Sequence, residues 1–370
     1  MDRVDRVDRD TVIPEQFELA YRALRETAGA YYLERDFVSV RGPDALGLLQ
    51  SQLTQDLAPL AVGDSTESLV LSPQGHLDAY LRVTRASTDR FVLDVAAGWG
   101  PAVLERLERF RIRARAEISP LGWQCLSIRG PGTSSLVSAL APYISFPLDP
   151  EGTGEQPAAQ AASAHPEGPE TGFDPTIRVD ASWPGLPGLD LLGPAPAVPP
   201  GVLLVSELAG LAAPLDAPVA PWFAAWEAVR IEAGIPAMGR ELTTKTIPAE
   251  TGLAERTISS TKGCYTGQEL VARMAARGNR APRSICGLVL GAGKPAPAAE
   301  PWPPWPPPGS EVRFEGAARG TVTTSSFSLL LAAPVALAVV QRGLPVPSEV
   351  LVVHDGRERA ASARALPLIH

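Results

Sequence analysis

The chain has 370 residues, 45% of them apolar and 20% charged, with 33 basic against 41 acidic side chains and a formal net charge of −8. That length predicts two or three domains, each able to bury its own core. The acidic balance speaks against a protein that coats nucleic acid or docks on an anionic membrane, so no direct nucleic-acid binding is expected.

The first ten residues, "MDRVDRVDRD", alternate charge without a core-forming pattern and predict a disordered tail. "DFVSVRG" reads as a strand, and Pro43 introduces a helix over "DALGLLQSQL". "ESLVLS" and "LDAYLRVTR" flank the turn "PQGH" as a hairpin, "RFVLDVA" is a further strand, and "PAVLERLERFRI" is an amphipathic helix. A second cycle opens at "WQCLSIRGPG" and continues into a helix over "SSLVSALAPY". Gly130 and Gly132 lack the third glycine of a dinucleotide loop, and "GAGKP" fails the P-loop pattern, so neither is taken as a phosphate site. Residues 149–175, rich in Pro, Gly, Ala and Glu, read as a flexible insertion, and residues 293–310 as a stiff proline-rich loop. After residue 283 the helical period gives way to short strands, which predicts a small antiparallel barrel or sandwich.

Two stretches concentrate chemistry. In "PWFAAWEAVRIEAGIPAMGREL" a helix starts at Pro221, repeats Trp222, Trp226 and Val229 on one face, and ends at Gly234 and Pro236. Arg230 there either pairs with Glu227 one turn earlier or offers its guanidinium fork to a ligand carboxylate. In "TKGCYTGQELVARM" Thr266 and Glu269 stand in capping-box spacing, Leu270, Val271 and Met274 follow as an apolar stripe, and Gly278 closes the helix. Cys264 is then either a small buried hydrophobe or a working thiol, favoured as thiolate by the following helix N-terminus and by Lys262. Tyr265 reads equally as a packed aromatic or as the wall of a site.

The three cysteines, Cys125, Cys264 and Cys286, have no C-x-x-C spacing and form no disulfide framework. Cys125 and Cys286 fall at inward positions of strands. The four histidines are scattered singly, so no metal site is expected. Without an apolar leader or a run of about 18 apolar residues, the chain reads as soluble and cytoplasmic, with no membrane partner.

The run "KGCYTGQE", Lys262 to Glu269, resembles the motif of the YgfZ family, the folate-binding relatives of the glycine cleavage T-protein. "RIEAGIPAMGREL" with "IPAETGL", and "VRGPDALGLLQSQLTQDL", are similar to further blocks of these chains, and the resemblance covers most of residues 30–360. It implies an α+β fold in a three-domain cloverleaf: two mixed α/β domains and a C-terminal small antiparallel β-barrel. The corresponding map is a leading segment at 1–29, an N-terminal folate-binding domain at 30–120, a middle domain at 121–282 and the barrel at 283–370. It also implies tetrahydrofolate, or a one-carbon folate derivative, as ligand, with iron–sulfur proteins or assembly factors as partners. By resemblance Arg230 takes a tail carboxylate, with Glu232 beside it, while Lys262, Tyr265, Gln268 and Glu269 shape the wall around Cys264. Of the two aspartates that aminomethyltransferases carry near "QGHLDAY" only Asp78 is present, with Ala79 in the other place, and Leu186 stands where they hold a glutamate. Asp78 is thus either a remnant of the pterin site or a turn residue. The departures favour a folate-dependent accessory factor for iron–sulfur cluster assembly or repair over aminomethyl transfer. A folate-binding scaffold with an inert Cys264 is the third reading.

Deleting residues 151–170 is expected to leave melting temperature and ligand binding nearly unchanged, because a longer loop adds little closure entropy. A large fall in melting temperature would show that the segment is packed.

Overall fold

Strand β4 shows how the chain divides itself between core and surface: along Leu77–Arg85 the apolar Leu77, Ala79, Leu81 and Val83 are buried while Asp78, Tyr80 and Arg82 alternate outward. The structure is a computed structural model that describes residues 13–133, 135, 177–196, 198, 202–205, 220–278, 280–291 and 306–370. The expected tail at 1–10, the insertion at 149–175, nearly all of the "SSLVSALAPY" helix and most of the proline-rich loop lie outside these residues.

Helix α1 (Glu15–Glu26) leads into β1 (Gly29–Leu33) and β2 (Arg35–Arg41), then α2 (Ala45–Gln52), β3 (Ser65–Leu71), β4, β5 (Arg90–Ala96), α3 (Gly100–Phe110) and β6 (Glu117–Leu121). There follow β7 (Gln124–Arg129), β8 (Ile177–Asp180), β9 (Gly188–Gly193) and β10 (Leu203–Leu204). Helix α4 (Pro221–Ala233), a 3₁₀ turn at Pro248–Glu250, α5 (Ala254–Thr257) and α6 (Gln268–Ala276) precede the last strands. These are β11 (Arg283–Leu290), β12 (Glu311–Phe314), β13 (Ala317–Ser328), β14 (Ala333–Gln341), β15 (Ser348–His354) and β16 (Arg357–Arg364).

The strands form two five-stranded sheets, ordered β3-β4-β5-β2-β6 and β10-β1-β7-β9-β8, and a closed barrel ordered β11-β14-β13-β12-β15-β16. The expected α+β class with a C-terminal antiparallel barrel is therefore what the chain adopts. Leu48 and Leu49 of α2 and Val103 and Leu107 of α3 pack on one face of the first sheet. Phe37 and Val92 of that sheet meet Cys125, Ile177 and Leu192 of the second. Cys286 is buried inside the barrel.

The units do not follow the chain as simply as expected. Strand β1, read as the start of the first domain, pairs with β7 and β10 in the second sheet. Helix α1, placed in the leading segment, packs its Phe17, Ala20, Tyr21 and Leu24 against α4. The segment after α4, read as part of the middle domain, crosses to the first sheet: Leu77 donates to the Thr246 carbonyl at 2.9 Å. Pairing depends on matching apolar faces rather than nearness in sequence, and a short strand can satisfy a distant sheet.

Helix α4 departs from the one-sided pattern. Ala224, Ala225, Trp226, Ala228, Val229 and Ile231 are all buried, because α1 covers one side and the barrel the other. Gly234 ends it with φ of 72°, and a Cβ there would lie 2.7 Å from Leu366, so both backbone shape and space require glycine. Glu232 is fully buried: the Tyr21 hydroxyl donates to it at 2.5 Å and Arg25 Nε at 3.0 Å.

Glu232→Ala should therefore destabilise the fold by about 3–5 kcal/mol, since the buried Arg25 loses its counter-charge. Glu232→Gln should cost clearly less than Glu232→Ala, and equal midpoints in chemical denaturation would remove the ion pair from this account.

Candidate functional site

Two glycines allow the "KGCYTGQE" segment to lie directly on the β3–β4 turn. Gly267 has φ of 82°, and a Cβ there would sit 2.6 Å from the Ser72 carbonyl. Gly75 has φ of 81°, and its Cβ would meet Leu270 at 2.5 Å. Any side chain at either position would force α6 away from the first sheet.

This contact also rearranges the helix start. The T-x-x-E spacing predicts a capping box, yet Gly267 is the N-cap, in left-handed conformation, and no side chain caps the helix. Thr266 instead points its hydroxyl to Gln52 Oε1 at 3.5 Å, and its backbone N–H donates to the Ser51 carbonyl at 3.2 Å. Glu269 is exposed and pairs with Arg273 one turn on, so it faces water rather than a wall around Cys264. Gln268 accepts a hydrogen bond from the Tyr265 backbone N–H at 3.2 Å and so folds the loop onto the helix. Gly278, with φ of 70°, does close the helix as expected.

Lys262 is the clamp of the loop. Its Nζ donates to the Leu53 and Gln55 carbonyls, both at 2.8 Å, and lies 5.5 Å from the Tyr265 ring centroid. Burial brings its pKa down to about 8, against the opposing pull of Asp56. Tyr265 is half-buried beside Leu69, Leu71, Leu77 and Met238, with Tyr80, Trp99 and Ile285 at the edge of the same cluster. Burial raises its phenol pKa. Cys264 is exposed, whereas Cys125 and Cys286 are buried. Burial pushes the Cys286 thiol up to about 12 and raises that of Cys125 as well. The buried-hydrophobe reading of Cys264 is thereby set aside.

Asp78 is half-buried on β4, with Arg106 Nη1 at 3.6 Å. Burial raises its pKa, and Arg106 and then His76 oppose the rise. Arg106 also donates to Gln52 Oε1 at 3.0 Å and to the Leu71 carbonyl at 2.9 Å. A polar path thus runs from Asp78 through Arg106 and Gln52 to Thr266, next to Tyr265 and two residues from Cys264. Lys262 and Gln268 each contact Tyr265, and Tyr265 packs on the cluster that holds Leu77, the β4 neighbour of Asp78.

Arg230 and Glu232 belong elsewhere. Arg230 is buried, holds Glu227 through Nε at 3.1 Å and Nη2 at 2.9 Å, and reaches Glu241 at 3.1 Å. Those partners raise its pKa further against the cost of burial. The pairing with Glu227 is the geometry present, and a guanidinium so committed is not presented to a ligand. Glu232 joins α4 to α1 and likewise faces no site. Leu186 is buried against the α1–α4 cluster, and Ala79 is buried in the first sheet.

Sequence reasoning missed Gln52, Arg106, Tyr80 and Thr246, because nothing in their local spacing marks them. Arg106 reads as one more charge on an amphipathic helix, and only the fold brings it to Asp78. Among the described residues no group of acidic, cysteine and histidine side chains could hold a metal ion.

The GCVT N-terminal domain family model matches residues 18–149. The chain is 31% identical over 248 residues to a tRNA-modifying protein YgfZ of Edwardsiella ictaluri, with 65% of each chain covered. It is 26% identical over 355 residues to an aminomethyltransferase of Thermus thermophilus, with 94% of this chain and 88% of that one covered. The glycine cleavage system aminomethyltransferase T from Bartonella henselae shares the fold at a TM-score of 0.69 and 20% identity, over 95% of this chain and 89% of its own.

Lys262 yields a signed pH prediction. Its folded pKa of about 8 lies below the ordinary 10.5, so between those values the unfolded chain holds the extra proton and the lysine's contribution to stability increases as pH rises. Lys262→Met should remove that slope. Parallel melting-temperature profiles of the two proteins between pH 7.5 and 10.5 would refute the depressed pKa.

Proposed function

Because the chain is a YgfZ/GcvT-like protein, we propose that it binds tetrahydrofolate, or a one-carbon derivative of it, and acts as an accessory factor in iron–sulfur cluster assembly or repair. In this reading it works in the cytoplasm and indirectly supports cluster-dependent tRNA-modifying enzymes. No helix among the described residues is long and apolar enough to cross a membrane.

The observation that carries the reading is the exposure of Cys264 on a loop clamped by Lys262, while the other two thiols are buried. A thiol that acts on another protein must reach the surface and still be held in place. The neighbouring face supports a folate: Asp78 offers a half-buried carboxylate to ring nitrogens, and Tyr265, Tyr80 and Trp99 offer apolar surface to a flat heterocycle. Bound folate would supply a one-carbon carrier. The residues of the chain would orient it, with Asp78 holding or releasing a proton at the ring edge and Gln268 keeping Tyr265 in register.

A second reading, folate-dependent aminomethyl transfer, is favoured by the length of similarity to aminomethyltransferases. Ala79 and Leu186 weigh against it, because both are buried apolar side chains where proton management would need carboxylates. Transfer to a lipoyl carrier protein, measured directly, decides between the two.

Iodoacetamide should label Cys264 long before Cys125 or Cys286 under native conditions. Cys264→Ser should keep the fold and folate affinity yet fail to restore iron–sulfur enzyme activity in a strain lacking the protein. Full restoration by the serine variant would leave the thiol without a role.

A further inference from the structure

Between the segment that follows α4 and the barrel strands β11, β13 and β14 lies a cleft of about 280 Å³, lined among others by Arg240, Thr246, Glu250, Arg283, Ile285 and Thr321. Its ion pairs are oriented alike. Glu227 holds Arg240 with side-chain exposures of 9% against 38%, and Glu250 holds Arg283 with 5% against 40%. In each pair the carboxylate is buried and the guanidinium is partly exposed.

The carboxylates of the cleft are already occupied. Glu241 receives Arg230, the Ala237 N–H and the hydroxyls of Thr323 and Thr324. Glu250 receives Arg283 Nε at 2.8 Å, Arg283 Nη2 at 2.9 Å and the Ile247 N–H at 3.1 Å. Among the described residues no hydrogen-bond partner is found for Arg240 Nε and Nη2, whose guanidinium lies 5.9 Å from the Phe223 ring centroid, or for Arg283 Nη1, so the charged capacity left at this cleft is that of a donor, beside the neutral amide of Gln341. An incoming anion meets guanidinium N–H groups without displacing a protein carboxylate.

The cleft shares walls with the candidate site. Thr246 lines it while its carbonyl accepts from the backbone of Leu77, next to Asp78. Ile285 lines it and also packs on the cluster that holds Tyr265. Its volume is below that of a pocket for a drug-sized ligand, which begins at about 300 Å³, so it suits one small charged unit of a longer molecule.

We propose that this cleft is a carboxylate subsite for the γ-linked glutamate extension of the folate, with Arg283 and Arg240 as its binding residues. The assignment rests on the folate reading above and concerns the added glutamates alone, not the first tail carboxylate expected at the buried Arg230.

The test uses the full chain and three probes in calorimetry: monoglutamyl tetrahydrofolate, triglutamyl tetrahydrofolate and γ-linked triglutamate without a pterin. The triglutamyl form should bind about tenfold tighter than the monoglutamyl form. Arg283→Gln combined with Glu250→Gln removes the pair without leaving a buried charge alone, and Arg240→Gln leaves Glu227 its bond to Arg230. Each variant should keep monoglutamyl affinity and lose most of the gain, with unchanged melting temperature verifying the fold. An undiminished gain in both variants, or no gain in the parent, overturns the subsite. If γ-linked triglutamate binds and weakens in the variants while monoglutamyl tetrahydrofolate does not bind, the subsite stands and the folate reading falls. If neither folate nor triglutamate binds, both fall.

Discussion

Helix α4 carries charges into an interior where each must find its partner on the spot. Burying an unpaired ion costs several kcal/mol, so three ionised side chains on a helix covered on all sides dictate what surrounds them. Glu232 fixes Arg25 and Tyr21 of α1. Arg230 fixes Glu227 on its own helix and Glu241 on the turn that follows. Glu241 in turn receives Thr323 and Thr324 of β13, so the barrel, the turn and the helix are joined through a single carboxylate. The path of the chain after α4 is thereby set, and that path delivers residues 243–278 to the first sheet.

At the far end of that path the constraint changes from charge to space. Thr246 accepts from Leu77, Thr54 Oγ1 donates to the Thr257 carbonyl at 2.6 Å, and Lys262 spans to Leu53 and Gln55. These bonds hold a segment that buries none of the residues of α6. Gly75 and Gly267 then permit a backbone approach that side chains would block. A polar clamp over a close-packed turn adds to the apolar contact of Tyr265 and keeps a surface loop ordered.

Much of this was readable in sequence, and the failures share one cause. Period-2 alternation located β2 to β5 and most barrel strands, and the motif singled out Cys264, Lys262, Tyr265 and Gln268, of which Lys262 and Gln268 contact Tyr265. What the sequence hid was pairing across long separations. Nothing within "GAYYL" says that β1 joins β7 and β10, and nothing within "VLERLERF" says that Arg106 turns inward to Asp78 and Gln52. Arg230 was misplaced for the same reason. Residue type could not decide between an internal partner and a ligand, and Glu241, eleven residues on, decides it. The capping box failed because Gly267, needed for close approach to Ser72, already occupied the cap position.

The division of labour between the two faces of the "KGCYTGQE" loop bears on what kind of reaction the site can serve. Chemistry on a small substrate benefits from enclosure, since water weakens every electrostatic contact at the reacting atoms. Cys264 lies on the exposed side of the loop, while Tyr265 and Lys262 turn to the sheet, toward the face proposed for the folate. The thiol and the ring-binding face are therefore covalently adjacent but differently solvated. Such an arrangement is poorly suited to a closed transfer centred on sulfur and well suited to a thiol offered to a large partner, with the ligand ordering the loop from behind. Occupation of the inner face would be felt at Cys264 through Tyr265, whose backbone N–H is already fixed by Gln268 and whose ring lies against Lys262.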